Sequence, residues 1–138
     1  MVRKSVIVCC CLLLAFSLSA CQSNNTKKTV QNLNTTIKNY GLFIRWRSYD
    51  EAANHIRHRD GSAANKNTEA LQEIRVTKYQ VLTVDIDDEK QEATVNAEIT
   101  YYHERVNSVK TVTDQQLWWK DEETNKWFLD GVLPNLAP

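Results

Sequence analysis

Glycine is scarce in this 138-residue chain: Gly41, Gly61 and Gly131 are the only three. A loop that cradles phosphate needs several glycines close together, so nucleotide binding of that kind is excluded. Cysteine is equally restricted. Cys9, Cys10, Cys11 and Cys21 all fall near the N-terminus. The chain beyond them has no thiolate for a metal site or a nucleophile and no disulfide. An excess of positive charge is missing as well: 17 Lys and Arg balance 17 Asp and Glu. Nucleic-acid binding calls for a concentrated basic face, which argues against such a partner. No serine lies in a nucleophile elbow. The apolar run Val6 to Phe16 has eleven residues, far fewer than the ~20 that span a bilayer.

What is present begins with that run. Arg3 and Lys4 precede it, and small residues come after it, ending in Leu18-Ser19-Ala20-Cys21. Charge, apolar core and small residues in this order are the layout of a secretory signal. The tetrapeptide resembles the lipobox of bacterial lipoproteins. The resemblance implies that Cys21 becomes the first mature residue, acylated on its sulfur and its amine. Residues 1–20 would be removed and the protein would be held to a membrane through Cys21. Gln22 stands after the cysteine where enteric lipoproteins retained at the inner membrane carry aspartate. By that resemblance the periplasmic face of the outer membrane is favoured, in a cell that has one. The 118 residues left carry 15 basic and 17 acidic side chains, enough chain for one domain with one core.

Gln22 to Thr29 contains no apolar residue and is expected to act, with Cys21, as a flexible tether over 21–29. A single domain is expected over 30–138. Val30, Leu33, Ile37, Tyr40 and Ile44 recur at steps of three and four, the stripe of a long helix. Leu42, Phe43 and Trp46 widen its apolar surface, so it is expected to lie against a sheet. Gly41 inside it points to close packing at that position. Ser48 and Glu51 fit a capping box, predicting a second helix to about His58 that buries Ala52, Ala53 and Ile56. Residues 60–70 are small and polar and read as a surface loop.

From Glu73 the period changes to two. Ile74 and Val76 share a parity with Leu82, Val84 and Ile86, while Tyr79 and Val81 occupy the other. A bulge or bend near 78–80 would reconcile them. Ala93 to Tyr101 alternates cleanly. Val109 to Lys120 forms a third strand, and Trp127 to Leu129 a fourth.

Helices first and antiparallel strands after make the class α+β. The expected architecture is a long N-terminal helix and a short one packed on a curved four-stranded antiparallel sheet. This order, with Gln116-Leu117-Trp118-Trp119-Lys120 and Lys126-Trp127-Phe128-Leu129-Asp130-Gly131 as a closing aromatic hairpin, resembles the nuclear transport factor 2-like superfamily. The segment Tyr49-Asp50-Glu51-Ala52-Ala53 adds to the likeness. The alternative architecture is a cystatin-like sheet wrapped on one helix.

Enzymes of that superfamily often use an Asp/His pair inside their cone. Here the resemblance offers His103 with Asp85 or Asp114, without a motif that fixes the pairing. Tyr101, Trp118 and Trp119 are candidate binding residues, since Tyr101-Tyr102 and Trp118-Trp119 each place one ring on each sheet face. His55 and His58 could share a helix face with Glu51 or Asp60 nearby, but Arg57 and Arg59 between them would repel a dication, so no metal is expected. No cofactor is expected. The reading is a non-catalytic, lipid-anchored envelope domain that binds a partner protein or small apolar ligand through its sheet. Its alternatives are a small cyclase- or dehydratase-like enzyme and a structural subunit of an envelope assembly.

Overall fold

A computed structural model describes residues 26–89, 91–106 and 108–136. Cys21 and the signal-like segment lie outside the described residues. The chain divides into two compact units, residues 1–35 and 36–138. In the first, residues 26–35 are helical and Leu33 is fully buried. Thr26 to Thr29, read from sequence as tether, are therefore helical. The helix, α1, continues through residue 45.

The second unit is α+β. After α1 come α2 (Tyr49–Ala53), a 3-10 turn (Glu69–Leu71) and four strands: β1 (Ile74–Asp87), β2 (Glu92–His103), β3 (Val109–Lys120) and β4 (Trp127–Leu129). They form one antiparallel meander in the order β1-β2-β3-β4. The third and fourth strands have the bounds that alternation predicts.

β1 contains two irregularities rather than one bend. Its pairing with β2 shifts between Val76 and Lys78 and again between Val81 and Thr83. Each shift inserts one unpaired residue, Thr77 and then Leu82, and each flips the parity of the strand beyond it. Ile74 and Val76 thus share a face with Tyr79 and Val81, then with Val84 and Ile86. Leu82, grouped from sequence with the inward residues, is the residue inserted at the second bulge and is 49% exposed. Since β1 is an edge strand, the bulges also interrupt the flat edge that another chain could pair with.

The core stripe of α1 in this unit is Ile37, Tyr40 and Ile44, all buried. The Tyr40 ring meets Trp118 edge-on at 5.5 Å between centroids and Tyr79 at 6.4 Å. Gly41 explains how the helix comes so close: a Cβ there would stand 2.5 Å from the Tyr79 ring. The wider apolar surface expected of α1 is only partly used, because Leu42 is 40% and Trp46 72% exposed.

A Schellman motif ends α1. The Ser48 N–H donates to the Phe43 carbonyl at 2.9 Å and the Arg47 N–H to that of Ile44 at 3.4 Å. Arg47 takes the left-handed conformation, φ 61°, where glycine is usual. Its guanidinium is held by the Gln72 carbonyl and faces Glu104 at 3.6 Å.

The capping box does not form. Ser48 makes no side-chain cap bond, and α2 stops at Ala53 instead of His58. The reason is a competing partner. Ile56 bridges Leu129 in parallel, the Arg57 N–H donates to the Leu129 carbonyl at 3.0 Å, and the Leu129 N–H donates to that of His55 at 2.8 Å. Strand pairing to β4 thereby satisfies backbone groups that another helical turn would have used.

Candidate functional site

The inward face of β2 carries Ala93, Val95, Ala97, Ile99 and Tyr101, all buried. Across the register on β3, Trp118 opposes Ala93, Gln116 opposes Val95 and Asp114 opposes Ala97. This places an amide and a carboxylate on the apolar side of the sheet. Gln116 organises them. Its Nε2 donates to Asp114 Oδ2 at 2.7 Å and to Tyr79 Oη at 2.8 Å, and its Oε1 accepts the Trp118 indole N–H at 3.0 Å. The orientation of the amide is fixed by its partners, since an indole N–H only donates and a carboxylate only accepts.

Burial sets the electrostatics of this cluster. Desolvation pushes the Asp114 carboxyl above the usual carboxylate range, and the hydrogen bond from Gln116 opposes that rise. The Tyr79 and Tyr40 hydroxyls are both raised, chiefly by burial and further by the nearby Asp114 charge. The Tyr40 hydroxyl is buried without a hydrogen-bond partner. The neighbouring surfaces are closed: Tyr40, Trp118, Val95, Ala97 and Ile99 have no exposed area, and Gln116 has 2%. A ring that water cannot touch does not line a chamber, so at these residues the inward face of the sheet is packed core.

His103 lies elsewhere. It pairs with Ile74 at the end of β2, six residues along the strand from Ala97, which is about 20 Å at ~3.4 Å per residue. Asp114 is therefore out of its reach. Asp85 pairs with Thr94, on the outward face and farther still. The carboxylate that meets His103 is Glu73, with Oε2 3.1 Å from Nε2. His103 Nδ1 accepts the Arg105 N–H at 3.2 Å, which places the ring proton on Nε2, toward Glu73. Arg105 also grips Glu73, and Arg75 grips Glu104. The group is a rim of ion pairs where β1 begins and β2 ends.

Of the candidate aromatics, Tyr101 and Trp118 are core. Trp119 faces outward yet is 8% exposed, because its indole N–H donates to the Arg57 carbonyl at 2.7 Å and the Arg57 guanidinium lies 5.9 Å from its ring. None of the three offers a free ring. His55 and His58 part company: the His55 ring packs among Tyr40, Phe43 and Trp118, and His58 Nδ1 meets Asp130 Oδ1 at 2.8 Å.

Two exterior features remain. The outward face carries Thr94, Asn96, Glu98 and Thr100 on β2 and Thr111, Thr113, Gln115 and Leu117 on β3, half-buried to exposed. Its contacts are the short-range ones of a solvated sheet, such as Lys78 to Glu98 at 2.9 Å and Asn96 to Thr83 at 2.9 Å. The second is a cleft of about 380 Å³ between the 65–71 segment and the C-terminal residues, walled by Asn65, Asn67, Leu71, Leu133, Pro134 and Leu136. Sequence reading missed the cleft because residues 60–70 look like plain loop. It missed the Gln116 cluster because Asp114 is offered to His103 and Gln116 reads only as part of the closing hairpin. The chain matches no protein-family model and no curated protein.

Proposed function

We propose that this chain is a lipid-anchored, non-catalytic domain of the cell envelope, of nuclear transport factor 2-like architecture, that binds a partner protein through the outward face of its sheet. The observation that carries the reading is the contrast in filling. The concave side, where an enzyme of this architecture would hold substrate, is occupied by Tyr40, Tyr79 and Trp118. The outward side presents a row of hydroxyls and amides with Leu117 among them, 40% exposed. Such a surface pairs with another polar protein face through hydrogen bonds around an apolar contact.

Site-specific photocrosslinking in cells tests it. A crosslinker at Thr113 or Gln115 is expected to give a discrete adduct that the same group at Lys126, on the β3–β4 turn, does not give. Adducts from Lys126 alone, or none from β3, would remove the sheet face from the account. Cys21→Ala is expected to release the protein from the membrane fraction or leave it unprocessed. Normal processing and full retention would remove the anchor.

The cleft supports a second reading, a small apolar ligand. Its volume falls at the low end of the ~300–1,000 Å³ usual for ligand sites, with leucine walls and asparagine amides to orient a guest. Leu133→Trp should fill it and abolish any such binding while leaving the crosslinking pattern on β3 unchanged.

A further inference from the structure

The charges of this chain are strongly partitioned. Before Asp50 there is no acidic residue at all, and seven Lys and Arg, of which the five from Lys27 to Arg47 remain when residues 1–20 are removed. From Asp50 onward ten Lys and Arg face all seventeen acids. A chain that is neutral as a whole is thus a cationic N-terminal third joined to an anionic remainder.

The structure gives the cationic part a surface. Lys38, Leu42, Arg45 and Trp46 are spaced i, i+4, i+7 and i+8, one face of a helix. Helical geometry extends through the last of them, since the Trp46 N–H donates to the Leu42 carbonyl at 2.9 Å. The stripe used for packing, Ile37, Tyr40, Gly41 and Ile44, is turned toward Tyr79 and Trp118. The Lys38–Trp46 face is turned away from it, with both cations exposed. Trp46 is 72% exposed, while Trp118, Trp119 and Trp127 are all buried. A water-exposed indole and a leucine flanked by two cations on an acid-free helix match the chemistry of a bilayer interface. Indoles rest at the headgroup level and cations pair with lipid phosphates.

We propose that the Lys38–Leu42–Arg45–Trp46 face of α1 docks on a membrane bearing anionic lipid headgroups. The proposal rests on the reading that Cys21 is the anchor. Five residues from Cys21 to Thr26 reach at most about 18 Å, which holds Thr26, a helical residue, close to the surface. The anchor supplies affinity and the helix face supplies orientation. With α1 down, the anionic remainder of the chain is repelled from the same lipid. Two cations shift the balance toward the docked orientation by roughly 30-fold, which is ~2 kcal/mol at ~1.4 kcal/mol per tenfold. The effect weakens as salt rises.

Trp46 is its own reporter. The protein as cells produce it is reconstituted into vesicles of phosphatidylcholine alone and of an equal mixture with phosphatidylglycerol. Acrylamide quenching of tryptophan emission is then compared. On neutral vesicles a quenchable component is expected, and Trp46→Phe should remove it. On the anionic mixture that component should be protected several-fold and its emission shifted to the blue. Lys38→Glu with Arg45→Glu should restore quenching on the anionic mixture, with the protein still sedimenting with the vesicles. Equal quenching on both compositions would overturn the proposal. So would protection that appears only when an envelope protein extract is added, which would assign the face to a protein. Failure to sediment with neutral vesicles would count against the anchor, not the helix face. In that case, sedimentation with the anionic mixture that the charge-reversed variant loses would still uphold the face.

Discussion

On the side of the sheet turned toward α1, Val95, Ala97 and Ile99 expose nothing to water, while Thr94, Asn96 and Glu98, each one residue away on the same strand, remain partly exposed. β2 runs between two neighbours, so its backbone is satisfied equally on both sides and only its side chains distinguish the faces. β3 shows what the difference demands. Its inward Gln116 must find every partner inside the protein and does so through Asp114, Tyr79 and Trp118. Its outward Thr111 has water as an alternative to the Thr100 hydroxyl 3.2 Å away. A polar group therefore costs much to disturb on one face and little on the other.

The largest expected effect comes from Trp118→Ala. It empties the contact with Tyr40 and strands the Gln116 carbonyl oxygen. A loss of ~3–5 kcal/mol is expected, a fall in melting temperature on the order of 10–20 °C for a domain of this size. A melting curve that overlays the parent's would end the distinction between the faces.

Gln116→Leu keeps the volume and removes the hydrogen bonds. The buried Trp118 indole N–H then loses its acceptor and the half-buried Asp114 carboxylate loses a donor, costing ~1–3 kcal/mol in chemical denaturation. A variant as stable as the parent would show that water reaches the cluster.

Gly41→Ala tests how tightly the helix lies on the inward face. The added methyl would meet the Tyr79 ring at 2.5 Å, and the expected cost is ~1–2 kcal/mol despite alanine's better helix propensity. Tyr79→Leu makes room, so the two substitutions should be non-additive in a double-mutant cycle. Additive costs would mean that the helix is not pressed on Tyr79.

Asp114 gives the inward face a pH signature. Burial raises its folded pKa, so the native state holds the proton more tightly than the unfolded chain does. Its favourable contribution is fullest below the unfolded value of about 3.9 and is lost as pH rises through the folded value. Asp114→Asn preserves an acceptor for Gln116 and should raise the melting temperature at neutral pH. That gain should shrink to nothing below about pH 4, where the parent's carboxyl is protonated too. A gain independent of pH would assign the effect to something other than the charge.

The smallest effects belong to the outward face. Thr111→Ala and Lys78→Ala should each stay within about 0.5 kcal/mol of the parent, as exposed sheet positions do. A cost above that would mean that the outward face is covered.

Much of this architecture was legible in the chain. Strand bounds in β3 and β4 match alternation and turn residues, and the conflict of parity in β1 announced its bulges, though not that there are two. Gly41 marked the close approach to Tyr79. The short α2 was not legible, because Ser48 and Glu51 satisfy a local rule that Leu129, seventy-odd residues away, overrides. Trp46 was misplaced onto the packed surface because apolar residues were counted without angular position: it stands off the Ile37–Tyr40–Ile44 stripe and lies in water. The rim pairing of His103 with Glu73 depends on the strand register, which the sequence does not specify.

The proposed use of the outward face depends on the inward side of the sheet being solid around Tyr40, Val95, Ala97 and Trp118, which expose nothing to water. Crystals pressurised with xenon test it most directly, because xenon enters dry apolar cavities. No xenon atom is expected among Tyr40, Tyr79, Val95, Ala97 and Trp118. An occupied xenon site bounded by those residues would show a chamber there and contradict it.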